Sequence, residues 1–187
     1  MSRLVSVIIP AYNVEKYIQA TLRSVQSQTW ADWEALVVDD GSTDGTAEKI
    51  KELAACDSRI RLIQQANAGS SAARNAGLAA AQGSYIAFLD GDDEWKPDLL
   101  AKLIAAKELA KVGFVYCGYT HVYDRGFRRG FRHPYPEGDI LLPVVAAKTH
   151  IQIGCTLTDK EIIDKHGGSI DIRSTAGKGT SIIITLE

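Results

Sequence analysis

Four short apolar runs, each followed by a polar cluster and then by a stretch of helical periodicity, constrain this chain more than any other feature of its sequence. Leu4 to Ile9 reads L-V-S-V-I-I, Glu34 to Val38 reads E-A-L-V-V, Arg59 to Ile63 is a shorter run, and Ser84 to Leu89 is the fourth. Tyr85 to Leu89 carries no charge and reads as a strand buried on both faces of a parallel sheet. Pro10 is expected to stop the first strand, because proline has no donor to give a ladder. Between the strands, Val14, Tyr17, Ile18, Leu22 and Val25 fall at helical spacing as far as about Gln28. A second helix, capped by Ser42 or Thr43, turns Ala47, Ile50 and Leu53 or Ala54 inward. The third presents the small residues Ala72, Ala73, Ala76 and Ala80, a face that can lie close against a sheet. Pro97 to Ala110 forms the fourth, with Leu99, Leu100, Leu103 and Ile104 inward and Asp93 or Lys96 as its cap.

Strands alternating with helices in this way predict a three-layer α/β/α sandwich around a mostly parallel sheet with right-handed crossovers. In such a sheet the carboxyl ends of the parallel strands share one edge, and ligands bind there. Tyr12-Asn13, Asp39-Asp40, Asn67 to Arg74 and Asp90 to Asp93 each follow a strand, so they should converge. Any one of them reads equally well as ordinary turn chemistry. Paired carboxylates, an aromatic and an arginine at several strand ends of one sheet do not.

The 187 residues suit one domain with an appendage, and 45% apolar residues are ample for its core. A net charge of -2 gives no overall reason to expect nucleic acid or an anionic surface as partner. Cys56, Cys117 and Cys155 are odd in number and lack metal spacing, which favours a reduced, cytoplasmic setting. No run reaches the length of a membrane span and no signal-peptide pattern opens the chain. Contact with a membrane, at its inner face, would therefore be peripheral.

The most chemically loaded stretch is F-L-D-G-D-D-E-W at 88 to 95. Three carboxylates within four residues repel one another unless a cation neutralises them or water screens them. Gly91 gives the backbone room to turn. The two readings are a divalent site in which Mg or Mn holds a diphosphate, and a solvated acidic turn before a helix.

These motifs, with V-S-V-I-I-P-A-Y-N at 5 to 13, V-V-D-D-G-S-T-D at 37 to 44 and N-A-G-S-S-A-A-R-N-A-G at 67 to 77, resemble the family 2 inverting nucleotide-sugar glycosyltransferases of the Rossmann-like GT-A fold. The resemblance covers residues 3 to about 157, strongly to 100. It implies a nucleotide-sugar donor, a UDP-sugar by preference, and a saccharide or lipid-linked hydroxyl acceptor. It also implies roles. Tyr12 would lie against the base, with Pro10, Ala11 and Asn13 shaping that wall. Asp40 would accept from a uracil-type N–H and Asp39 would brace the loop or the ribose. Arg74 would reach the base or the diphosphate. Asp92 would be the principal ligand of Mn or Mg, the DxD position, with Asp90 near the ribose or the metal. The family's general base, an Asp or Glu well beyond the metal motif, is not identifiable here. Asp124, Glu137, Asp139, Asp159, Glu161 and Asp164 lie in no such context, so turnover by this chain stays open beside a non-catalytic nucleotide-binding reading.

Val112 to Tyr123 reads as a fifth strand continuing the sheet. The next segment interleaves Arg125, Arg128, Arg129, Arg132 and His133 with Phe127, Phe131 and Tyr135. A solvated loop over the site is the first reading. An acceptor loop, a membrane contact and stacking on single strands are the alternatives. From about Thr158 the text resembles the end of a sensor histidine kinase's ATP-binding domain, with His166-Gly167-Gly168 closing a helix and a G-K-G-T turn at 177 to 180. Read from the residues, Thr158 or Asp159 caps a helix carrying Ile162 and Ile163, and Ser169 to Arg173 pairs with Ser181 to Leu186 as a hairpin. Gly177, Gly179 and Thr180 would touch phosphate in a complete kinase domain, but that family's other motifs are absent. The expectation is a 1–157 domain with a 158–187 tail completing the fold, joined as a fusion or chimera.

Overall fold

The computed structural model describes residues 3–118, 120–122, 128–130, 154, 156–165, 170–175 and 179–184. Six strands form the main sheet in the order β3-β2-β1-β4-β8-β5. Its parallel part is β1 (Val5–Ala11), β2 (Trp33–Asp39), β3 (Ile60–Gln64) and β4 (Tyr85–Phe88). Beyond β4, β8 (Thr156–Asp159) runs antiparallel and pairs in turn with β5 (Phe114–Tyr116). Chain order reverses beside β1: β2 and β3 lie to one side of it and β4 to the other. That reversal creates the crevice at which α/β sheets take ligands.

Alternation along β1 divides the core into two. Val5, Val7 and Ile9 pack with Ile18, Leu22 and Val25 of α1 (Ile18–Gln26), Ile50 of α2 (Thr46–Cys56) and Leu100, Leu103 and Ile104 of α4 (Leu99–Ala110). Ile8 faces the other way, with Leu36, Ile86 and Phe88, against Leu78 of α3 (Ser70–Ala80) and Ile163 of α5 (Lys160–Lys165). The three-layer α/β/α sandwich with a mostly parallel sheet is therefore as expected.

Several local expectations are corrected. Pro10 does not end β1: it pairs with Val38, and Ala11 with Asp39. Proline removes one donor but leaves the carbonyl side of the ladder, and the Asp40 amide donates to the Ala11 carbonyl at 2.9 Å. Neither Ser42 nor Thr43 caps α2. Asp44 takes that work, accepting from the Thr46 amide at 3.1 Å and the Thr46 hydroxyl at 2.5 Å, and the hydroxyl holds its carboxyl below the usual range. Nor do Asp93 or Lys96 cap α4, which follows Asp98 without a side-chain cap bond. The buried face of α3 is Ala73, Arg74, Gly77 and Leu78 rather than the alanine row. Close approach comes from Gly77, where a Cβ would stand 2.5 Å from Ile8 Cγ2.

Val112 to Tyr123 is not one strand. Only β5 joins the main sheet, while β6 (Thr120–Val122) pairs with β7 (Arg128–Gly130) in a separate two-stranded unit. Thr158 and Asp159 are strand residues, with Asp159 immediately before α5: β8 spans the position expected to divide the domain from its tail, and pairing on both edges holds it in the sheet. Buried Lys107 of α4 fixes this corner, reaching Asp159 at 2.7 Å and lying over the Tyr85 ring at 4.9 Å. The expected hairpin is present as β9 (Ile170–Thr175) and β10 (Gly179–Ile184), with β9 beside α3. Asp124, Glu137, Asp139, His133, the segment's aromatic residues, Cys155, the His166 to Gly168 turn and Gly177 lie outside the described residues.

Candidate nucleotide site at the carboxyl edge of the sheet

The strand ends are tied to one another by their own side chains. Asn13 follows β1 in the left-handed region, with φ 52°. There its side chain accepts from the Thr43 amide at 2.9 Å, and its own amide donates to the Ser42 hydroxyl at 3.0 Å. The loop after β2 is thus fastened to the loop after β1, leaving Tyr12 49% exposed as an open aromatic face. Pro10 is partly buried and Ala11 buried beneath it.

Asp39 and Asp40 are both buried and already hold protein donors. Asp39 accepts from the Ser42 amide at 3.1 Å and from Gln64 at 3.2 Å, so it braces its own turn against β3. One Asp40 oxygen accepts from Gln65 at 2.7 Å and the Ala68 amide at 2.9 Å; the other accepts from the Gly69 amide at 2.8 Å. A carboxylate offers about four lone-pair sites, so one remains. Between these two carboxylates and the loop before α3, Gly41 adopts φ 75°, and a Cβ there would stand 2.9 Å from the Asn67 amide nitrogen. Only glycine meets both demands at little cost.

Arg74 is turned differently from expectation. It is buried, and a terminal nitrogen meets Asp90 at 2.5 Å, while its Nε has no hydrogen-bond partner. The guanidinium is thus committed to the acidic loop. Its reach goes into fixing Asp90, with one carboxylate oxygen occupied and the side chain 27% exposed. Gly91 supplies space more than conformational freedom, since a Cβ would lie 3.0 Å from the Pro10 carbonyl. The Thr21 hydroxyl donates to the Gly91 carbonyl at 3.0 Å, and the Trp95 amide to the Ser24 hydroxyl at 3.0 Å, bolting the loop to α1. Asp92 projects from this anchored turn, exposed and without a protein partner.

Periodicity and motif spacing give no sign of three further contributors. Gln65 completes the shell of Asp40. The Trp95 indole donates to the Gly154 carbonyl at 2.7 Å. A Cβ on Gly154 would be 3.5 Å from an Asp93 carboxylate oxygen, so the segment before β8 reaches the acidic loop. The W closing D-G-D-D-E-W was the available signal, but its partner is 59 positions away.

Whether these residues suit a divalent cation follows from the donor set. Among the described residues no three carboxylate, histidine or cysteine groups gather closely enough to cage an ion. Mg and Mn do not require one: they keep waters and bind through one or two carboxylates plus substrate phosphates. Free Asp92 and the remaining oxygen of Asp90 are such a pair, and they fit.

The family model of glycosyl transferase family 2 matches residues 6–167. A UDP-Glc:alpha-D-GlcNAc-diphosphoundecaprenol beta-1,3-glucosyltransferase of Escherichia coli, WfgD, is 44% identical over 117 residues, 62% of this chain and 46% of that protein. EpsJ, an uncharacterized glycosyltransferase of Bacillus subtilis, is 43% identical over 64% of this chain and 35% of its own length. Of solved structures, S. aureus TarS 1-349 in complex with UDP superimposes with a TM-score of 0.74 at 26% identity, covering 89% of this chain and 50% of that one. The chain spans half or less of the length of each.

Proposed function

The chain belongs to glycosyl transferase family 2, and on that premise we propose that it binds a UDP-sugar at the carboxyl edge of its sheet and transfers the sugar, with inversion, to a hydroxyl acceptor. The observation that carries this reading is the joining of four loops from separate strands: Asn13 to Thr43, Asp40 to Gly69 and Arg74 to Asp90. A preorganised edge of this kind orients a ligand without reordering at each turnover.

In this reading Tyr12 stacks on the base above Pro10, Ala11 and Asn13. Asp40 offers its one remaining lone pair to a uracil N–H, while Asp39 holds the turn. Arg74 holds Asp90 in place, and Asp92 with Asp90 holds Mn or Mg on the diphosphate. The cation, when bound, neutralises charge on the departing nucleoside diphosphate. The acceptor hydroxyl loses its proton to a base that no described carboxylate is assigned to be. TarS was solved with UDP and with UDP-GlcNAc, which supports uridine as the nucleoside. WfgD's printed acceptor is a diphosphoundecaprenol, which supports a lipid-linked acceptor and peripheral work at a cytoplasmic membrane face. No helix among the described residues is long and apolar enough to cross a membrane. As domain organisation we retain a glycosyltransferase body with a kinase-like tail from a fusion. Thr156–Lys165 is counted with the body, which leaves the hairpin Ile170–Ile184 as the part set apart.

Titrating UDP with and without Mn, then following hydrolysis and transfer of UDP-sugars, tests the proposal. Mn-dependent binding with turnover supports it. Binding without turnover supports the second reading, a donor-binding unit, which the lack of an assigned base among the described carboxylates favours. No UDP binding at all sinks both.

A further inference from the structure

Most of the described cations of this protein are answered by a carboxylate. Among the residues whose side chains are described, Arg3, Lys49, Lys51, Arg59, Arg61, Arg74, Lys102, Lys107, Lys160 and Lys165 each meet a carboxylate within 4.0 Å. The cations without such a partner are Lys16, Arg23, Lys96 and Lys111. Lys111 ends α4 elsewhere. Lys16 and Arg23 line one cleft.

Lys16 stands in the turn that leads into α1 and Arg23 on the helix itself. Both line a cleft of about 470 Å3 between α1 and the loop after β4. Gln19 and Ser27 add polar side chains along its α1 wall, and Glu94 and Trp95 form the opposite one. The walls are held at fixed separation: the Trp95 amide bonds Ser24 at 3.0 Å, and Gln28 donates to the Lys96 carbonyl at 2.7 Å. Glu94 is the one titratable acid in the lining and has no ion-pair partner. Two cations against one carboxylate leave the cleft positive, beside a loop that is otherwise strongly acidic.

From this we infer that the cleft is a second anion site, distinct from the donor edge, that takes a phosphoryl group through Lys16 and Arg23. A guanidinium and an ammonium lining one cleft, with the Gln19 amide beside them, supply donors around a tetrahedral oxyanion. Such a group reaches the protein either on a soluble phosphorylated ligand or on an anionic lipid headgroup. The inference stands apart from the donor reading, because none of the residues proposed to touch the donor or its cation lines the cleft.

The test uses the full chain and two probes at low ionic strength: inorganic pyrophosphate by calorimetry, and vesicles of phosphatidylglycerol and phosphatidylcholine in equal parts by sedimentation. Binding is expected to fall at least about tenfold in the double variant Lys16→Glu/Arg23→Glu, and to weaken with added salt. Glu94→Gln should tighten it. UDP affinity, measured in parallel, should not move in the double variant, which separates this site from the donor edge. Pyrophosphate alone binding assigns a soluble ligand; vesicles alone binding assigns a headgroup. If neither probe binds, or the double variant binds as the parent does, the site does not exist.

Discussion

Two aspartates of the donor edge differ in what their loss should do. Asp92 is exposed and bonds nothing in the protein. Asp92→Ala should leave unfolding in urea unchanged to within about 0.5 kcal/mol while removing the Mn-dependent part of UDP binding; retained Mn dependence would exclude it as a ligand. Asp40 is buried and accepts from two backbone amides and Gln65. Asp40→Ala strands those donors, so it should cost about 2–3 kcal/mol in urea unfolding as well as weakening uridine. A fully stable Asp40→Ala protein would contradict the geometry. Asp57 marks a third kind of carboxylate. The Arg59 guanidinium, bonded at 2.8 Å, and Gln26 hold its carboxyl well below the ordinary 3.8. Because the folded value is the lower one, its stabilisation is complete above the ordinary value and fades as pH falls below it. Thermal melts should therefore show Asp57→Asn less stable by about 1 kcal/mol at pH 7, the gap beginning to narrow as pH falls below 3.8 and narrowing further below pH 3. A gap independent of pH would remove the ion pair as its cause.

At the scale of elements, α3 decides the shape of the acidic edge, because it carries Arg74 and lies on the sheet through Gly77. Gly77→Ala would bring a Cβ to 2.5 Å from Ile8 Cγ2, in the core formed with Leu36, Leu78 and Ile86. Overpacking of this kind costs about 1–3 kcal/mol. Lifting α3 also loosens the Arg74 and Asp90 pair, so both a lower urea midpoint and weaker UDP binding are expected. Unchanged binding in a destabilised variant would show that α3 position and the donor edge are uncoupled. The small side chains of α3 were visible in the sequence, but which of them met the sheet was not. Periodicity fixes a face only to within one residue, and the glycine had no apolar side chain to mark it.

For the whole molecule, the position of β8 sets where the chain divides. Ending the chain after Lys165 should leave a cooperatively unfolding protein that still binds UDP, since the six-stranded sheet and α5 are retained. Ending it before Thr156 withdraws the strand between β4 and β5 and buried Leu157, and should abolish cooperative unfolding by circular dichroism. If the longer truncation behaves like the full chain, β8 is dispensable and the assigned sheet is wrong. The alternation of apolar runs with helical periodicity determined the α/β class, and the polar clusters after β1, β2 and β4 marked one edge as the candidate site. Both are properties of contiguous sequence, where backbone period and burial coincide. Only the tertiary structure decided that Arg74 serves Asp90, that Asp40 is nearly saturated by the loop before α3, that Trp95 meets Gly154, and that Thr156–Asp159 completes the sheet. Each of these joins segments at least 16 positions apart, and a pairing at that distance is set by which donors and surfaces packing leaves unsatisfied, not by any local pattern.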